Sequence, residues 1–469
     1  MPEDLKTVAI AAENTKPGAS VRGGGQKLPG ATITAPEAEP APLRAYPAKL
    51  FVEITTRCNL GCFMCVKQTD GCGMSEGDLT PETFAALEPA FPQLEALVLN
   101  GVGEPLLNPH LETFIRRAKS SMPATGWIGF QSNGLLMTDS RALSLVEAGL
   151  DKICLSIDAA SPETFRKVRE GGELLAIEKA FTALAAAKQR CNRPEVQVGI
   201  EYVLMNSNLG ELPSALRWAA EQGASFAIVT HVLPYDESHA VEAAYSNCTD
   251  EAIALFGAYK AEALRQGLDI HRYFESRWKY TKNPEARRIV SLVDAMKNEA
   301  RQRDLFLDIS KLLQLDSGKM AEVAAVFDQA RMVALEKGLE LRLPGVALSE
   351  KRQCSFVEDG GMFVSWEGNV SPCYFLWHSY SCFAGGWQQQ VQPKVFGNLA
   401  ERGILDTWND PAYRSFRENV LAYDYPNCSG CGLAPCDYVQ TEDFRQDCHI
   451  KDVQCGACLW CMGVFQCLR

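Results

Sequence analysis

The chain has 469 residues, of which 46% are hydrophobic and 22% are charged, so it is long enough for a buried core and for two or three domains. Its 58 acidic residues outnumber 46 basic ones and give a formal net charge of −12, which argues against a nucleic-acid partner because no global positive field is available. The sequence contains neither a long uncharged apolar run nor a secretory signal pattern, which excludes a membrane-spanning helix and favours a cytoplasmic protein.

The first segment, residues 1–46, is rich in Pro, Gly, Ala and Ser, and its first aromatic residue is Tyr46. Such a segment cannot bury enough apolar surface to offset its chain entropy, so we expect a flexible arm.

From Ala48 onward, short β-rich runs alternate with longer helical patterns. Strands are predicted at Leu50–Thr55, Ala96–Asn100, Trp127–Gln131, Lys152–Ile157, Val196–Leu204 and Phe226–Val232. Helices are predicted at Pro81–Leu87, Pro109–Lys119, Ser140–Ala148, Leu174–Gln189 and Leu209–Glu221. Six strand-then-helix repeats imply parallel strands and right-handed crossovers. We therefore expect an α/β protein with a partial (β/α)6 TIM-like barrel over residues 47–235, and its chemistry at the C-terminal ends of the strands.

Beyond this barrel the strand signals disappear, and charged helical periodicity, as in Ala321–Lys337, predicts a helical insertion or linker over residues 236–345. Residues 346–469 are rich in Gly, Pro and Cys, with short aromatic strands such as Met362–Trp366. Of the 18 cysteines, 11 lie from Cys354 onward, and a cytosolic protein would not use that many thiols in disulfides. We expect a small metal-stapled domain at this end.

A loop of three cysteines, Cys58-x3-Cys62-x2-Cys65, directly follows the first predicted strand. Three thiolates can hold three corners of a four-iron cluster, and the fourth iron then keeps the open position that a cluster needs to act on a substrate. A zinc loop or three incidental thiols are the alternatives. Zinc usually takes two pairs of cysteines, and this loop has no fourth ligand nearby in the sequence.

The spacing and position of this loop resemble those of the radical S-adenosylmethionine (SAM) superfamily. The resemblance implies a [4Fe–4S] cluster whose unique iron binds the amino and carboxylate groups of SAM. One electron then splits SAM, and the resulting 5′-deoxyadenosyl radical takes a hydrogen atom from a substrate. The implied partners are an electron donor such as ferredoxin or flavodoxin and a protein, peptide or cofactor as substrate, with no membrane.

Two short motifs after later strands also resemble this superfamily. Gly101-Val102-Gly103-Glu104-Pro105 is similar to the Gly-Gly-Glu-Pro motif that binds the amino group of the methionine moiety, with Val102 in place of a glycine. We assign this role to Gly103 and Glu104. Asn133, after the third strand, matches a Thr-Asn-Gly turn of the family. As isolated patterns, both could equally be turns or helix caps.

The remaining cofactor residues implied by the resemblance are Ser156, Asp158 and Met64. Ser156 and Asp158, at the end of the fourth strand, are similar to the Ser-x-Asp that lies beside the ribose and carboxylate of SAM. Met64 stands where the family usually has an aromatic residue along the adenine, and a thioether can pack on a purine. Either polar residue could instead cap the following helix. No residue is marked by the sequence as the catalytic acid or base.

The opening of the cysteine-rich end, Cys354 followed by Gly368-x4-Cys373, resembles the SPASM domain, an extension that implies one or two auxiliary [4Fe–4S] clusters. The candidate ligands are Cys354, Cys373, Cys428, Cys431, Cys436, Cys448, Cys455, Cys458, Cys461 and Cys467. These ten thiols exceed the eight that two fully protein-ligated clusters require, so at least two are spare or a third site exists. Cys436 and Cys461 fit the pattern least.

Other cysteines and two histidines near them are assigned structural roles. Cys154 lies inside a predicted strand, and Cys72, Cys191 and Cys248 are isolated, so small core residues or inert thiols are expected. The same interpretation is favoured for Cys382. His378 and His449 are expected to be packing or surface residues.

Strings in the last 120 residues, such as Trp366–Tyr374, Phe396–Leu399 and Cys455–Trp460, resemble the tungsten cofactor oxidoreductase radical maturases and related metalloenzyme maturases. This favours an enzyme that modifies a metalloenzyme or its cofactor during assembly. An enzyme that modifies a ribosomally made peptide is the alternative, although many of these carry a leader-binding domain longer than the 46-residue arm. A non-catalytic iron–sulfur carrier or scaffold would explain the cysteine-rich end but not a three-cysteine loop on a barrel rim.

Overall fold

The structure is a computed structural model that describes residues 40–69, 72, 74–384, 387–423 and 454–469. The residues from Pro40 onward form one unit. Most of the predicted arm lies outside the described residues, as do the candidate ligands Cys428, Cys431, Cys436 and Cys448 and also His449. In the described part of the chain, no helix is both long and apolar enough to cross a membrane.

The strands of the described residues are numbered in chain order. They are β1 (Lys49–Val52), β2 (Gly61–Cys62), β3 (Ala96–Val98), β4 (Trp127–Ser132), β5 (Lys152–Ser156), β6 (Arg169–Glu170), β7 (Gln197–Leu204), β8 (Phe226–His231), β9 (Ser246–Thr249), β10 (Glu340–Arg342), β11 (Ala347–Leu348), β12 (Gly361–Val364), β13 (Asn369–Ser371), β14 (Tyr380–Ala384), β15 (Trp387–Val391) and β16 (Gly397–Asn398).

The helices are numbered in the same way. They are α1 (Pro81–Ala85), α2 (Leu111–Lys119), α3 (Asp139–Ala148), α4 (Pro162–Val168), α5 (Leu174–Arg190), α6 (Leu212–Glu221), α7 (Glu237–Ala240), α8 (Asp250–Arg265), α9 (Tyr273–Trp278), α10 (Pro284–Gln302), α11 (Ile309–Leu313), α12 (Ser317–Lys337), α13 (Ser355–Glu358), α14 (Ile404–Trp408) and α15 (Pro411–Ala422). Short 3-10 helices lie at Ala41–Leu43, Val66–Gln68, Glu88–Gln93, Pro105–Leu107, Leu209–Glu211, Ile270–Arg272, Gln454–Ala457 and Trp460–Met462.

One ten-stranded sheet organises the fold, in the order β10-β8-β7-β5-β4-β3-β1-β12-β13-β16. Neighbouring strands from β10 to β12 pair in parallel, and β13 and β16 continue the sheet antiparallel. The six predicted barrel strands are present as β1, β3, β4, β5, β7 and β8. The predicted α/β fold is therefore confirmed, and the parallel arrangement brings the C-terminal ends of these strands to one edge.

Helix caps fix where the crossover helices begin and end. Thr80, Thr138 and Ser161 each accept a hydrogen bond from the backbone N–H three residues further on, at the starts of α1, α3 and α4. Helix α3 ends at Gly149, whose φ of 110° lies in the left-handed region that glycine adopts without steric cost. These caps return the chain to the next strand and so keep the six strand ends together.

Two strands of the sheet come from outside the predicted barrel. Strand β10 pairs with β8 although residues 236–345 are predicted to be helical, and β12 pairs with β1, with Lys49 opposite Gly361 and Val52 opposite Val364. The pairing partner of a strand of three or four residues cannot be predicted from its sequence pattern, because tertiary contacts determine which strand it pairs with. The domain boundaries at residues 235 and 345 stay predictions.

The segment from α8 to α11 builds a second hydrophobic core of its own, with Phe256, Tyr273, Val293, Met296 and Leu312 buried together. Helix α12 belongs instead to the main core, where Val323 and Phe327 are fully buried.

The end of the predicted arm is packed against the cysteine-rich region. Arg417 donates from Nε to the carbonyl oxygen of Pro42 at 2.8 Å, and the indole N–H of Trp408 donates to that of Arg44 at 2.8 Å. Both side chains are almost fully buried, so they take backbone carbonyls as their partners. Residues 40–46 therefore differ from the flexible segment that their composition predicts.

Candidate active site

The three-cysteine loop borders a cavity of about 200 Å³ at the C-terminal ends of the barrel strands, which we call the cysteine cavity. Its lining comes from the loop, from Arg169 in β6, from Glu201 in β7 and from the ends of β3, β4 and β5. The lining residues are Cys58, Leu60, Cys62, Met64, Cys65, Asn100, Gly101, Val102, Gly103, Glu104, Gln131, Ser132, Asn133, Ser156, Arg169 and Glu201. The structure thus brings together all the cofactor and loop residues predicted from sequence except Asp158, which contacts Arg169 from outside the lining.

The thiols of the loop are held on the cavity wall by backbone pairing. Strand β2 pairs antiparallel with β6, which places Cys62 opposite Arg169. Burial is the largest cause that raises the pKa of Cys62 and the pKa of Cys65, the latter to about 11, and the neighbouring thiols contribute to both rises. Arg169 opposes this for Cys62, since its guanidinium lies 3.8 Å from the sulfur.

The spacing of these thiols bears on the zinc alternative. Among the described residues, no three His, Cys, Asp or Glu side chains approach one another closely enough to hold a single metal ion. Ligands of a multi-iron cluster stand on different irons and so lie farther apart than the ligands of one zinc ion. The donor set, three thiols beside a cavity, fits the three protein-held corners of a four-iron cluster with one open iron.

Glu104 is a buried carboxylate at the centre of the cavity wall. One of its oxygens accepts from the hydroxyl of Ser132 at 2.7 Å and from the N–H of Leu106 at 3.1 Å, and the other accepts from the N–H of Asn133 at 2.7 Å. Burial raises the pKa of Glu104, and these hydrogen bonds oppose the rise. A carboxylate has about four acceptor positions, so one is left for a cationic group such as an ammonium.

Gly103 brings the Glu104 turn against the cysteine loop. Its N–H donates to Thr55 O at 3.2 Å, and the N–H of Glu104 donates to Arg57 O at 2.7 Å. A Cβ at Gly103 would lie 2.6 Å from Thr55 O, a distance that real Cβ atoms do not show. Glycine is required here for close backbone approach, which gives the sequence motif a physical reason.

A buried ion pair supports the other side of the cavity. Arg169 Nε lies 2.5 Å from one oxygen of Asp158, whose second oxygen accepts from the N–H of Val203 at 2.6 Å. Burial raises the pKa of Asp158, and the charge of Arg169 lowers it. Asn133 completes this wall, since its side-chain amide donates to Asn59 Oδ1 at 2.8 Å. Arg169 carries no motif signal, so sequence reasoning missed it.

A second cavity of about 250 Å³, which we call the aromatic cavity, shares Met64, Asn100, Gln131 and Glu201 with the cysteine cavity. Its other walls come from the end of β8, from the segment after β13 and from the last residues of the chain. They consist of Val203, Thr230, His231, Val232, Leu233, Tyr235, Tyr374, Trp377, Trp460, Phe465, Gln466 and Cys467. The barrel and the cysteine-rich end therefore form this cavity together.

The two cavities share a hydrogen-bonded row of polar side chains. Asn100 donates from Nδ2 to Gln131 Oε1 at 2.5 Å, and Gln131 donates from Nε2 to Glu201. Burial raises the pKa of Glu201 to about 7, and the charge of Asp158 adds to the rise. The sequence did not single out these three residues, because polar side chains that point into a barrel follow no fixed sequence pattern.

Below Gly101, the fully buried carboxylate of Glu53 accepts hydrogen bonds from Nε2 of His378 at 3.0 Å and from the N–H of Val102 at 3.2 Å. His378 thus has a buried partner.

Five thiols of the cysteine-rich end lie near one another: Cys354, Cys373, Cys455, Cys458 and Cys461. Burial is the largest cause of the raised pKa for three of them, Cys354, Cys373 and Cys455, and the neighbouring thiols contribute to the rise, which brings the pKa of Cys373 to about 11. For Cys458, the largest cause is a hydrogen bond with Cys461. Cys461, the poorer fit by spacing, is therefore part of this group, which we call the buried thiol group.

Other cysteines of the described chain lie elsewhere. Cys467 faces Glu201 and Tyr374 at the aromatic cavity. Cys382 is buried in β14 close to Tyr235 and Tyr380. Cys154 is fully buried in β5, and Cys248 belongs to the second core.

Comparison with known proteins identifies the class that this fold and site define. Residues 52–219 match the radical SAM superfamily, and residues 354–432 match SPASM, an iron–sulfur cluster-binding domain. The chain is a radical SAM enzyme with a SPASM domain.

Two proteins of known name are similar to this chain. The tungsten-containing aldehyde ferredoxin oxidoreductase cofactor-modifying protein of Pyrococcus furiosus is 25% identical over 424 residues, which cover 89% of this chain and 96% of that protein. The GTP 3′,8-cyclase of Bradyrhizobium diazoefficiens is 30% identical over 193 residues, 40% of this chain and 53% of the cyclase, so the match spans about half the cyclase.

Among solved structures, Streptococcus suis SuiB bound to precursor peptide SuiA has a TM-score of 0.46 and 12% identity, over 80% of this chain and 67% of SuiB.

Proposed function

We propose that this enzyme uses SAM and a [4Fe–4S] cluster to modify the cofactor of a tungsten-type metalloenzyme during its maturation. The observation that carries the radical chemistry is the cysteine cavity, where three thiols, a buried carboxylate and a buried arginine share one small volume. The substrate class is supported by the relative named as a cofactor-modifying protein, because the alignment covers 89% of this chain and 96% of that relative.

In this proposal, Cys58, Cys62 and Cys65 hold three irons of the cluster. The free acceptor position of Glu104, beside Gly103, receives the ammonium of the methionine moiety, since buried carboxylates bind cations strongly. When bound and reduced by one electron, SAM supplies the radical that takes a hydrogen atom from the substrate.

The remaining wall residues orient the cofactor. Arg169 faces its carboxylate, Asn133 and Ser156 are available to its polar groups, and Met64 lies along the adenine. Asp158 acts through Arg169, because its two oxygens are already used by that guanidinium and by the N–H of Val203.

The buried thiol group serves an auxiliary cluster in this proposal. Its five thiols exceed the four that one fully ligated cluster needs. A second auxiliary cluster would draw on Cys428, Cys431, Cys436 and Cys448, which lie outside the described residues. Cys467, at the aromatic cavity, is then a spare thiol. A ferredoxin or flavodoxin supplies the electron.

The test begins with the anaerobically reconstituted enzyme, a reductant and SAM, from which 5′-deoxyadenosine and methionine are expected. The enzyme is then incubated with SAM and the inactive, cofactor-containing form of a tungsten aldehyde oxidoreductase. Oxidoreductase activity should appear only in the complete mixture and not with Cys58→Ala. SAM cleavage without any change in the oxidoreductase or its cofactor would contradict the proposed substrate class.

A further inference from the structure

Residues 272–288, which include α9 and the start of α10, are basic within an acidic protein. They contain six basic and two acidic side chains, whereas the whole chain has a formal net charge of −12. Glu275 pairs with Arg272 and Lys279, and Glu285 pairs with Arg272. Two of the six basic residues thus engage both carboxylates of the segment, and four cations remain.

These four cations form no ion pair with a carboxylate among the described residues. They are Arg277, Lys282, Arg287 and Arg288. Lys282 donates to the carbonyl oxygen of Lys279 at 3.1 Å. Arg287 donates to that of Lys282 at 3.0 Å, and Arg288 to that of Gln266 at 3.1 Å. A carbonyl is neutral, so these bonds hold the side chains in place without cancelling their charge. The three arginines are exposed and suited to carboxylates, which guanidinium groups bind through two parallel hydrogen bonds.

The same segment exposes aromatic side chains. Trp278 is 79% exposed, Tyr280 is fully exposed, and Phe274, one helical turn before Trp278 in α9, is 40% exposed. Trp278 and Tyr280 belong to none of the hydrophobic cores of the described residues. Trp, Tyr and Arg supply most of the binding energy at protein interfaces, so their combination on one exposed segment indicates a surface that a partner protein covers.

A cavity of about 880 Å³ adjoins this segment, between β9, α11 and the start of α12. Phe274 and the half-buried Phe306 lie on its wall. The charged side chains in its lining are balanced: Asp308, Lys311, Asp316 and Lys319. A nucleic acid or an anionic bilayer would favour an excess of cations along the cavity, whereas a protein segment with polar and apolar side chains suits a mixed lining.

We propose that residues 272–288, which we call the basic aromatic patch, dock an acidic surface of the metalloenzyme whose cofactor this enzyme modifies. The guanidinium groups of Arg277, Arg287 and Arg288 pair with carboxylates of that protein. Trp278 and Tyr280 are buried against it, and a protruding segment of the partner enters the adjacent cavity. The inference rests on the proposed function for the identity of the partner.

An electron donor is the other acidic protein that the charge of the patch would suit. A donor has to lie close to a cluster in order to pass its electron. Residues 250–313, which build the second core and carry the patch, contain no cysteine and so no thiol ligand of a cluster. The metalloenzyme is therefore the favoured occupant.

The test is the binding of the anaerobically reconstituted full chain to the inactive, cofactor-containing tungsten aldehyde oxidoreductase, measured by biolayer interferometry at low and at physiological salt. Arg287→Glu with Arg288→Glu should weaken binding at least about tenfold at low salt, because two attractions become repulsions. Trp278→Ala leaves every charge in place and should also weaken binding at least about tenfold. Salt should weaken binding of the wild type and of Trp278→Ala, and it should do so less for the charge variant.

Lys179→Glu with Arg190→Glu is the matched control, because both residues are exposed cations on α5 and the change in net charge is the same. This variant should bind as the wild type does. Equal weakening in the control, unchanged binding in the patch variants, or no binding by the wild type would overturn the inference. Binding of flavodoxin, phosphatidylglycerol vesicles or duplex DNA that depends on the patch, with oxidoreductase binding unchanged, would also overturn it.

Activation of the oxidoreductase, measured with the same variants, separates the two ideas. Binding that depends on the patch without activation that depends on SAM refutes the proposed function alone, whereas activation that the patch variants leave unchanged refutes the inference alone.

Discussion

The two groups consist of the same residue, cysteine, and differ in their surroundings. Cys58, Cys62 and Cys65 are partly exposed at a cavity, whereas Cys373, Cys455, Cys458 and Cys461 in the buried thiol group are enclosed by protein. Three thiols leave one iron of a four-iron cluster without a protein ligand, and five thiols leave none. In the proposed function, enclosure and ligand number therefore separate a site that can accept a small molecule from one suited to electron transfer.

The charges around the two groups differ as well. The loop thiols lie beside Arg169 and Glu104, whereas Tyr380 and Tyr413 lie close to the thiols of the buried group. Charged groups can orient a zwitterionic cofactor, and an aromatic shell excludes water and tunes a cluster's potential. The predictions below test whether the two groups work as separately as these surroundings indicate.

The largest effect is expected at the loop. Replacing Cys58, Cys62 and Cys65 together by Ala should abolish SAM cleavage and remove about four irons per chain while the auxiliary iron remains. Iron content and 5′-deoxyadenosine formation measure this. Cleavage that survives the triple change would place the cofactor elsewhere.

The converse change is made in the buried thiol group. Replacing Cys354, Cys373 and Cys455 together by Ala leaves two of its five thiols, fewer than the three that hold a cluster at the loop, so about four irons should be lost while SAM cleavage without substrate continues. Cys154→Ala, in β5, is the control: it should keep all iron and cost only ~1–2 kcal/mol of unfolding free energy. Loss of SAM cleavage in this triple variant would show that the two groups are not separate.

A smaller effect concerns the charge beside the loop. Arg169→Ala removes the partner of the fully buried Asp158, and an uncompensated buried charge typically costs ~3–5 kcal/mol of unfolding free energy. Urea unfolding under anaerobic conditions measures the change, and Arg169→Lys should recover part of the loss. A change below about 1 kcal/mol would mean that Asp158 is not held by this pair.

The smallest effect is expected at His231, where the barrel and the cysteine-rich end meet. Burial lowers the pKa of His231 to about 4 from its ordinary 6.5, so between these values the unfolded chain binds more protons than the folded one. The stability that this neutral histidine provides is complete above pH 6.5 and is lost as the pH falls toward 4, by roughly 3 kcal/mol in all. Urea unfolding at pH 6.5 and at pH 5 measures how far the free energy of unfolding falls between these pH values. This fall should be about 2 kcal/mol smaller for His231→Gln than for the wild type. Equal drops would show that His231 does not titrate in this way.

The barrel was predictable because its signals are local. Alternation of apolar runs with helical periodicity placed β1, β3, β4, β5, β7 and β8 correctly, and the approach of Gly103 to Thr55 O explains why a glycine motif follows β3. The sequence also selected eight of the sixteen residues that line the cysteine cavity.

The remaining features depend on contacts between distant parts of the chain. Arg169 became a candidate only because β2 pairs with β6, and Glu201 because Gln131 lies within hydrogen-bond reach. Asp158 was predicted as a cofactor residue, but its burial beneath Arg169 places it outside the cavity lining. Periodicity reports which face of an element is buried and not which partner it meets, so such pairs cannot be obtained from sequence patterns.

The position of β12 beside β1 has a consequence for synthesis on the ribosome. The edge of β1 at Lys49 stays uncovered until Gly361 of β12 has been synthesised. The other edge of β1 pairs with β3, which is synthesised much earlier. At translation rates of ~5–20 residues per second, that delay is on the order of 15–60 s, during which an apolar strand edge stays unpaired. Nascent chains stalled before residue 361 should therefore bind chaperones that recognise exposed strands, and they should release them once β12 has emerged.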